Sequence, residues 1–336
     1  MTQDAILLMG GSGAIGLLTA QALRAARPEV PLLIGGRDGA KAQATADRLG
    51  NAEGVAIDAH AQDLGLGDRR VSAVAVFYSD ARLLGLNYAK ARGLPHLGIS
   101  SGIYEVAPEV AVHMNNPGAS AIVLGYEWLV GATTVATLTS AKPFARLDSI
   151  SIGALVDEDD GGGPAVAEDF ERLARMMPAA LALCDGAYVW QSGDDARSRF
   201  HAIDGTPVEA KGFSSIDIVG LAAATGARNV RFDLATGVTS SRRRGEAKST
   251  EIIIELEGED RQGMPLRKRH AGFHPGGAAP LTALGTSMIL ERLVGLDGMA
   301  PTAPGLYFPY QILDHERYVR RLEDAGGRIL ELEPLA

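Results

Sequence analysis

The chain has 336 residues and a formal net charge of −9, from 32 Lys and Arg against 41 Asp and Glu. This length suits about two domains with a large buried core. An acidic chain is a poor ligand for a phosphate backbone, which argues against nucleic acid as the main partner. The single cysteine, Cys184, excludes an internal disulfide and a cysteine zinc site and fits a reducing cytoplasm.

The sequence pattern predicts neither a signal peptide nor a membrane-spanning segment. Residues 1–9 lack the basic segment, apolar core and cleavage site of a signal peptide, so they predict a short strand. Residues 118–141 contain Glu127 as their only charge. Because a carboxylate in mid-membrane is costly, we interpret them as a buried strand, a loop and the start of a buried helix. We therefore expect a cytoplasmic protein without a membrane partner.

Residues 1–125 alternate short apolar runs with patterns of helical spacing. Non-alternating runs rich in Val, Ile and Leu are typical of strands buried on both faces. Such alternation predicts an α/β fold with a parallel sheet and helices on both of its sides. The predicted strands are 5–9, 31–34, 55–57, 71–76, 96–99 and 121–124.

The pattern changes after residue 125. Apolar residues alternate over 229–234 and 250–257, as they do in half-buried antiparallel strands. A helix is predicted over 165–183, broken near Pro178, which makes Cys184 a buried helix residue. Residues 126–275 are thus predicted to form a second, α+β domain with a mixed or antiparallel sheet. Its alternating apolar positions need a cover, and we predict a homodimer through this domain.

Two further helices are predicted in the tail, residues 276–336. Leu281, Leu284 and Met288 share one helical face, and a second helix is predicted over about 313–325. We expect these helices to pack back on the first domain.

A glycine-rich turn follows the first predicted strand and opens the first predicted helix. That position is the one a dinucleotide-binding fingerprint requires. Gly11 allows the tight turn, Gly13 lets the backbone approach a pyrophosphate, and Gly16 lets helix and strand pack closely. Free N–H groups at the helix N-terminus then bind the pyrophosphate. The alternative is a glycine turn without a ligand. The cofactor-binding candidates here are Gly11, Ser12, Gly13, Ala14, Ile15 and Gly16.

The end of the second predicted strand favours NADP, with NAD possible. An NAD enzyme usually carries an acidic residue there to hold the ribose 2′-hydroxyl. Here two glycines are followed by Arg37, whose guanidinium can bind a 2′-phosphate. The alternative is a surface arginine paired with Asp38. Asp58, after the third strand, is either a neighbour of the adenine or a turn residue.

Four stretches of the first 125 residues resemble the saccharopine dehydrogenase-like oxidoreductases: GGSGAIG at 10–16, LLIGGRD at 32–38, VAIDAHAQDL at 55–64 and LPHLGISSG at 94–102. The closing segments 280–295 and 304–327 are also similar to that family. The resemblance covers 1–125 well and 276–327 moderately. It implies a Rossmann domain, a mixed second domain, and NAD(P)-linked redox chemistry, often at a C–N bond of an amino-acid-derived substrate.

Two loops depart from that family. The segment Tyr78, Ser79 and Asp80 lacks a Gly-Pro pair, and residues 125–131 lack a proline. Ligands of an open parallel sheet lie beyond the carboxyl ends of its strands, so both loops are expected beside the nicotinamide. Tyr78 and Ser79 are therefore further cofactor-binding candidates.

The catalytic candidates are Tyr104, Tyr126 and Glu127. Tyr104 follows the fifth strand and is a possible proton donor, with simple packing as the alternative. Glu127 interrupts the least polar stretch, where an ionisable group is costly to bury without a partner. Its alternative is a structural hydrogen bond.

Other chemistries find less support. No tyrosine precedes a lysine by four residues, as the short-chain dehydrogenase mechanism requires. His270 and His274 are four residues apart, but Gly272 and Pro275 argue against a helical metal site, so no metal is predicted. The basic segment 242–244 is either an anion clamp or a solvated turn.

The sequence therefore predicts an NADP-dependent oxidoreductase acting on a small substrate in an interdomain cleft. The alternative is a nucleotide-binding sensor or scaffold without turnover.

Overall fold

A computed structural model of the chain describes residues 4–100, 102–103, 105–161, 164–176 and 179–334. The chain divides into two compact units. The first contains the residues up to Tyr126 and Thr282–Leu313, and the second contains Glu127–Leu281 and the residues from Asp314 onward.

The first unit is built on a seven-stranded sheet. Its strands are β1 (Ala5–Met9), β2 (Leu32–Gly36), β3 (Ala52–Ala56), β4 (Val71–Val76), β5 (His96–Gly98), β6 (Ala121–Leu124) and β15 (Gly305–Tyr307). Their order in the sheet is β15-β6-β5-β4-β1-β2-β3. Its helices are α1 (Ala14–Ala26), α2 (Gly39–Leu49), α3 (Leu84–Ala91), α4 (Ala107–Asn115) and α10 (Pro309–Ile312). Helix α9 (Ala278–Leu293) begins in the second unit and ends in the first.

All pairings in this first sheet are parallel. The central strand β1 is buried at every residue, because helices cover both faces of such a sheet. Strand order reverses between β1 and β4, which creates the switch point at which ligands of open α/β sheets bind. The predicted Rossmann-type parallel sheet is confirmed.

The second unit contains a nine-stranded sheet. The strands are β7 (Phe144–Asp157), β8 (Ala180–Cys184), β9 (Ala187–Gln191), β10 (Arg197–His201), β11 (Pro207–Gly212), β12 (Asn229–Gly237), β13 (Thr250–Asp260), β14 (Pro265–His274) and β16 (Arg328–Leu332). The main path of the sheet is β10-β11-β12-β7-β13-β14-β16, and β8 and β9 form a side branch at β12. The helices are α5 (Ala132–Ser140), α6 (Pro164–Met176), α7 (Asp217–Thr225), α8 (Ser240–Arg243) and α11 (His315–Asp324).

One pairing, β12 with β7, is parallel, whereas the others in this sheet are antiparallel. The predicted mixed sheet is thereby confirmed. The tail differs from expectation, because residues from Asp314 onward belong to the second unit. The physical reason is that β16 adds to the edge of β14 by five residue pairs.

The strands that motivated the homodimer lie inside this sheet. Phe232, Ile252 and Ile254 are all 1% exposed or less. On the opposite face, Leu155 and Ile253 belong to a core cluster that Phe200 covers. The apolar positions therefore find their cover within the unit, so the reason given for the dimer is wrong. The dimer itself stays a prediction.

The helix predicted over 165–183 is wrong in its second half. Helix α6 ends at Met176, and residues 180–184 form β8, so Cys184 ends a strand and is half-buried. A short apolar run does not distinguish strand from helix by periodicity, and here pairing with β9 decides. The interpretation of 118–141 as strand, loop and helix matches β6 and α5. Within the described residues, the structure contains no helix of the length and apolarity that a bilayer crossing needs.

Candidate functional site

The glycine turn lies at the carboxyl end of β1, beside the switch point. The Gly11 N–H donates to the Leu8 carbonyl at 3.0 Å and the Gly13 N–H donates to the Gly10 carbonyl at 2.9 Å. Gly10 has a φ of +86°, which glycine adopts without strain. A Cβ at Gly16 would stand 2.5 Å from the Gly10 oxygen, so glycine is what allows α1 to pack on the turn.

Helix α1 presents its N-terminus at this turn without a side-chain cap. Gly13 is the N-cap, and the first helical turn contains no acidic residue. Gly13 and Ala14 are exposed, and Ser12 is half-buried. Free N–H groups and the positive end of the helix dipole therefore meet solvent where an anion can reach them.

Arg37 lies exposed just beyond β2. The neighbouring Asp38 carboxylate accepts the Lys41 N–H at 3.0 Å and so caps α2. Among the described residues Arg37 forms no ion pair, which removes the Arg37–Asp38 surface pair as an explanation. A Cβ at Gly36 would stand 3.8 Å from the Ser12 hydroxyl, so the first turn and the end of β2 are neighbours.

Tyr78 follows β4 and packs its ring against the glycine turn. A Cβ at Gly10 would stand 3.1 Å from Cδ1 of Tyr78. Burial raises the pKa of Tyr78 to about 12; the Asp80 charge also raises it and the Arg37 charge lowers it. The Arg37 charge thus acts on the Tyr78 phenol. The structure brings together three predicted groups, namely the glycine turn, Arg37 and Tyr78.

The Asp58 and Asp80 carboxylates have local structural tasks. The Asp58 carboxylate accepts the His60 N–H at 2.8 Å, which is the geometry of a turn residue. The Asp80 carboxylate accepts the Gly85 N–H at 2.8 Å and holds the start of α3. Ser79, between Tyr78 and Asp80, is half-buried. Contacts of Asp58 and Ser79 with a cofactor stay predictions.

Tyr126 follows β6 and donates its hydroxyl hydrogen bond to Glu109. Glu109 is 4% exposed on α4. A Cβ at Gly98 would stand 2.8 Å from the Tyr126 hydroxyl oxygen, so the phenol lies over the end of β5. Sequence reasoning missed Glu109, because an acidic residue in a first helical turn is ordinarily solvated. Tyr104, the other tyrosine candidate, lies outside the described residues.

Glu127 belongs to the second unit and is 2% exposed. Its carboxylate accepts the Thr134 hydroxyl at 2.6 Å, and its carbonyl accepts the Val130 N–H at 2.8 Å. These bonds fit the structural alternative for this residue. Leu129 and Val130 have φ values of +53° and +55°, an uncommon conformation for residues other than glycine.

Asp217, which the sequence analysis missed, fixes the same loop. Its buried carboxylate accepts the Trp128 N–H at 2.7 Å and the Ser215 hydroxyl. Burial raises the pKa of Asp217 to about 6, although both hydrogen bonds favour the charged form. The Trp128 ring packs against Phe213 and Phe232 at centroid distances of 5.5 and 5.6 Å.

The basic segment 242–244 is ion-paired along its length. Its partners include Asp157 at 2.9 Å for Arg242, Asp204 at 2.6 Å for Arg243 and Glu246 at 2.9 Å for Arg244. These pairs fit the structural alternative rather than an anion clamp. The described part of the chain contains no cluster of three or more His, Cys, Asp or Glu side chains suited to a metal ion.

No family model and no curated protein matches the chain. Solved structures do match. Apo saccharopine dehydrogenase (L-Glu forming) from Saccharomyces cerevisiae has a TM-score of 0.62 and 16% identity, covering 99% of this chain and 100% of that one. A putative myo-inositol dehydrogenase from Sinorhizobium meliloti has a TM-score of 0.48 and 12% identity, with coverages of 99% and 100%.

The fold of the chain is thus similar to that of NAD(P)-binding oxidoreductases. More particularly, it is similar to the fold of the yeast saccharopine dehydrogenase, and the resemblance noted from the sequence is confirmed at the level of the fold.

Proposed function

We propose that this protein is an NADP-dependent oxidoreductase that transfers a hydride to or from a small substrate. The observation that carries the proposal is the meeting of the uncapped α1 N-terminus, Arg37 and Tyr78 at the switch point of the first sheet. Open α/β sheets bind their ligands at that place. A turn without a ligand would need neither an exposed anion site nor an unpaired cation beside it.

The chain offers a separate group for each part of the cofactor. N–H groups at the start of α1 hold the pyrophosphate. Arg37 holds the 2′-phosphate, with the Ser12 hydroxyl near Gly36 at the end of β2, and the Asp38 carboxylate accepts the Lys41 N–H as a helix cap. This division of tasks favours NADP over NAD, because a guanidinium, and not a carboxylate, directly follows the glycines at the end of β2.

The cofactor supplies the hydride chemistry, and the chain supplies orientation and a proton. Tyr126, which follows β6 on the cofactor side of the first sheet, is our main proton-donor candidate, and Tyr104 and Glu127 remain the other two. Glu109 accepts the Tyr126 hydroxyl and so positions it. The likeness to a saccharopine dehydrogenase supports an amino-acid-derived substrate with a C–N or C–O bond at the reacting carbon. We place the activity in the cytoplasm, since Cys184 is the single cysteine.

Binding and turnover are tested separately. We expect NADPH fluorescence to report saturable binding by the purified full chain, with weaker binding of NADH. A screen of small carbonyl, imine and amino compounds, followed at the nicotinamide absorbance, is expected to give substrate-dependent oxidation or reduction. The absence of NADPH binding would overturn the proposal.

A sensor or scaffold without turnover is the second candidate. It is favoured by the burial of Glu127, which leaves this catalytic candidate 2% exposed and accepting the Thr134 hydroxyl. Tight NADPH binding without turnover across the same screen would support it.

A further inference from the structure

Tyr78 and Arg37 follow the two strands that flank β1 in the first sheet. Strand β1 pairs with β2 on one side and with β4 on the other. The Gly10 N–H, just beyond β1, donates to the Gly35 carbonyl of β2 at 2.8 Å, and the Phe77 N–H, just beyond β4, donates to the last residue of β1 at 3.0 Å. The three strand ends therefore stay in register, with Tyr78 on one side of Gly10 and Arg37 on the other.

The ring of Tyr78 is turned towards β1. A Cβ built at Gly10 would stand 3.1 Å from Cδ1 and 3.6 Å from Cε1 of Tyr78, so one edge of the ring rests on the glycine. Tyr78 as a whole is half-buried, which leaves part of the side chain open to a ligand. Burial raises the pKa of Tyr78 to about 12, so the ring is uncharged at neutral pH. A fixed, uncharged and partly exposed ring is suited to stacking with a flat and neutral ligand group.

The space above Gly10 lies between Tyr78 and Arg37 and has a floor without side chains. That floor consists of Gly10, Gly35 and Gly36. Neighbouring strands lie about 4.8 Å apart, so β2 and β4, on either side of β1, are separated by about 9–10 Å. A ring stacked on Tyr78 takes up about 3.5–4 Å of this width, and the rest admits a ribose and its phosphate group on the Arg37 side.

Arg37 stands near Tyr78 without a contact between the guanidinium and the ring. Burial has the largest effect on the pKa of the Tyr78 phenol and raises it, whereas the Arg37 charge lowers it, so the two groups share one electrostatic environment. In the described part of the chain, Arg92 lies over the ring of Tyr88 at 3.9 Å, and Arg37 makes no such cation–π contact with Tyr78. The guanidinium is thus left to bind an anion, and the Tyr78 ring is left to contact another group of the same ligand.

We propose that Tyr78 stacks on the adenine ring of the cofactor and so contributes to its affinity. This role of Tyr78 rests on the NADP-dependent function proposed above, and it places the side chain at the adenosine half of the cofactor. The 2′-phosphate that Arg37 binds belongs to the ribose that carries adenine, so a base on the other side of that ribose meets Tyr78. Stacking does not involve the 2′-phosphate. Tyr78 therefore acts on NADP and NAD alike, whereas Arg37 discriminates between them.

Isothermal titration calorimetry of the full chain with NADPH and with 2′,5′-ADP tests this role. The second probe contains the adenine, the ribose and the 2′-phosphate but no nicotinamide. We expect Tyr78→Ala to weaken the binding of both probes about tenfold, within the range typical of one stacked base, and to weaken NADH binding by a similar factor. Tyr78→Phe, which keeps the ring and removes the hydroxyl, should leave both affinities within about twofold of wild type.

Two further variants separate stacking from packing. Tyr78→Leu keeps an apolar side chain on Gly10 but lacks an aromatic face, so it should bind 2′,5′-ADP about fivefold more weakly than wild type. Tyr188→Ala removes a tyrosine that is 51% exposed on β9 of the second unit. It is the matched control and should bind both probes as wild type does. Circular dichroism and thermal unfolding verify that each variant is folded.

The outcomes distinguish this role of Tyr78 from the proposed function. A wild-type chain that binds NADPH, with unchanged 2′,5′-ADP affinity in Tyr78→Ala and Tyr78→Leu, would overturn the stacking and leave the function standing. Weaker NADPH binding with unchanged 2′,5′-ADP binding would place Tyr78 beside the nicotinamide and contradict the stacking as well. A Tyr78→Phe chain that binds as weakly as Tyr78→Ala would assign the effect to the hydroxyl instead of the ring. A wild-type chain that binds neither probe would overturn both the function and the role of Tyr78.

Discussion

Arg37 is the residue on which the proposed choice of cofactor rests. Its guanidinium is exposed, acts on the Tyr78 phenol, and is left unpaired by Asp38. We expect Arg37→Ala to weaken NADPH binding by about 1.5–3 kcal/mol, the range for a hydrogen bond to a charged group, and to leave NADH binding unchanged. Fluorescence titration measures both affinities, and Arg48→Ala, an exposed arginine at the other end of α2, serves as control. Equal NADPH affinity in the Arg37 variant would refute the assignment.

At the same scale, Asp217 makes stability depend on pH. Burial raises the pKa of Asp217 in the folded chain to about 6, above its ordinary value of 3.8. Folding therefore favours the neutral form of the Asp217 carboxyl. Below the pKa of the unfolded state, the carboxyl is neutral in both states and the folded chain pays no cost for burying a charge. This stability is lost as pH rises through about 6, where the buried group ionises.

We expect Asp217→Asn to remove this loss. Relative to wild type, the variant should gain up to about 3 kcal/mol between pH 4 and 7, since each pKa unit is worth about 1.4 kcal/mol. Urea unfolding at several pH values measures the difference. Asp324→Asn, which changes an exposed carboxylate on α11, is the control. Parallel curves for wild type and Asp217→Asn would contradict the prediction.

At the scale of elements, two glycines of the turn between β1 and α1 are expected to have different roles, Gly16 in helix packing and Gly13 in cofactor binding. A Cβ at Gly16 would stand 2.5 Å from the Gly10 oxygen and 2.7 Å from Cα of Gly11, whereas one at Gly13 would stand 3.2 Å from the Gly10 oxygen. Gly16→Ala should therefore lower the free energy of unfolding by about 1–3 kcal/mol.

Gly13→Ala should change stability by less than about 1 kcal/mol, because its φ of −79° suits alanine. It should still weaken NADPH binding, since Gly13 is where the backbone approaches the pyrophosphate. Thermal unfolding and NADPH titration of both variants make the comparison. Unimpaired NADPH binding by a folded Gly13→Ala chain would place the cofactor elsewhere.

The strands of the first unit could be predicted well, because strands buried on both faces form continuous apolar runs in the sequence. The runs 5–9, 71–76 and 121–124 coincide with β1, β4 and β6. The hairpins between 180 and 212 were missed, because edge strands such as β10 are polar and lack alternation. Glu109 and Asp217 were missed for another reason, since which carboxylates become buried is decided by tertiary packing.

At the scale of the whole molecule, the chain returns to both units after residue 281. Residues Thr282–Leu313 complete the first unit, and β16 closes the edge of the second sheet beside β14. Every element that we assign to the cofactor lies in the first unit. The fold therefore predicts that the two units respond differently to loss of the chain end.

Deleting residues 327–336 tests this division. The deletion removes β16 and the ion pair between Lys268 and Glu331, so it should cost the second unit more than about 2 kcal/mol of stability. NADPH affinity should stay within about twofold of wild type, because the glycine turn and Arg37 are untouched. Urea unfolding and NADPH titration of the same preparation measure the two effects, with Glu331→Gln as the control that removes the ion pair alone. A folded truncation that no longer binds NADPH would contradict the assignment of the cofactor site to the first unit.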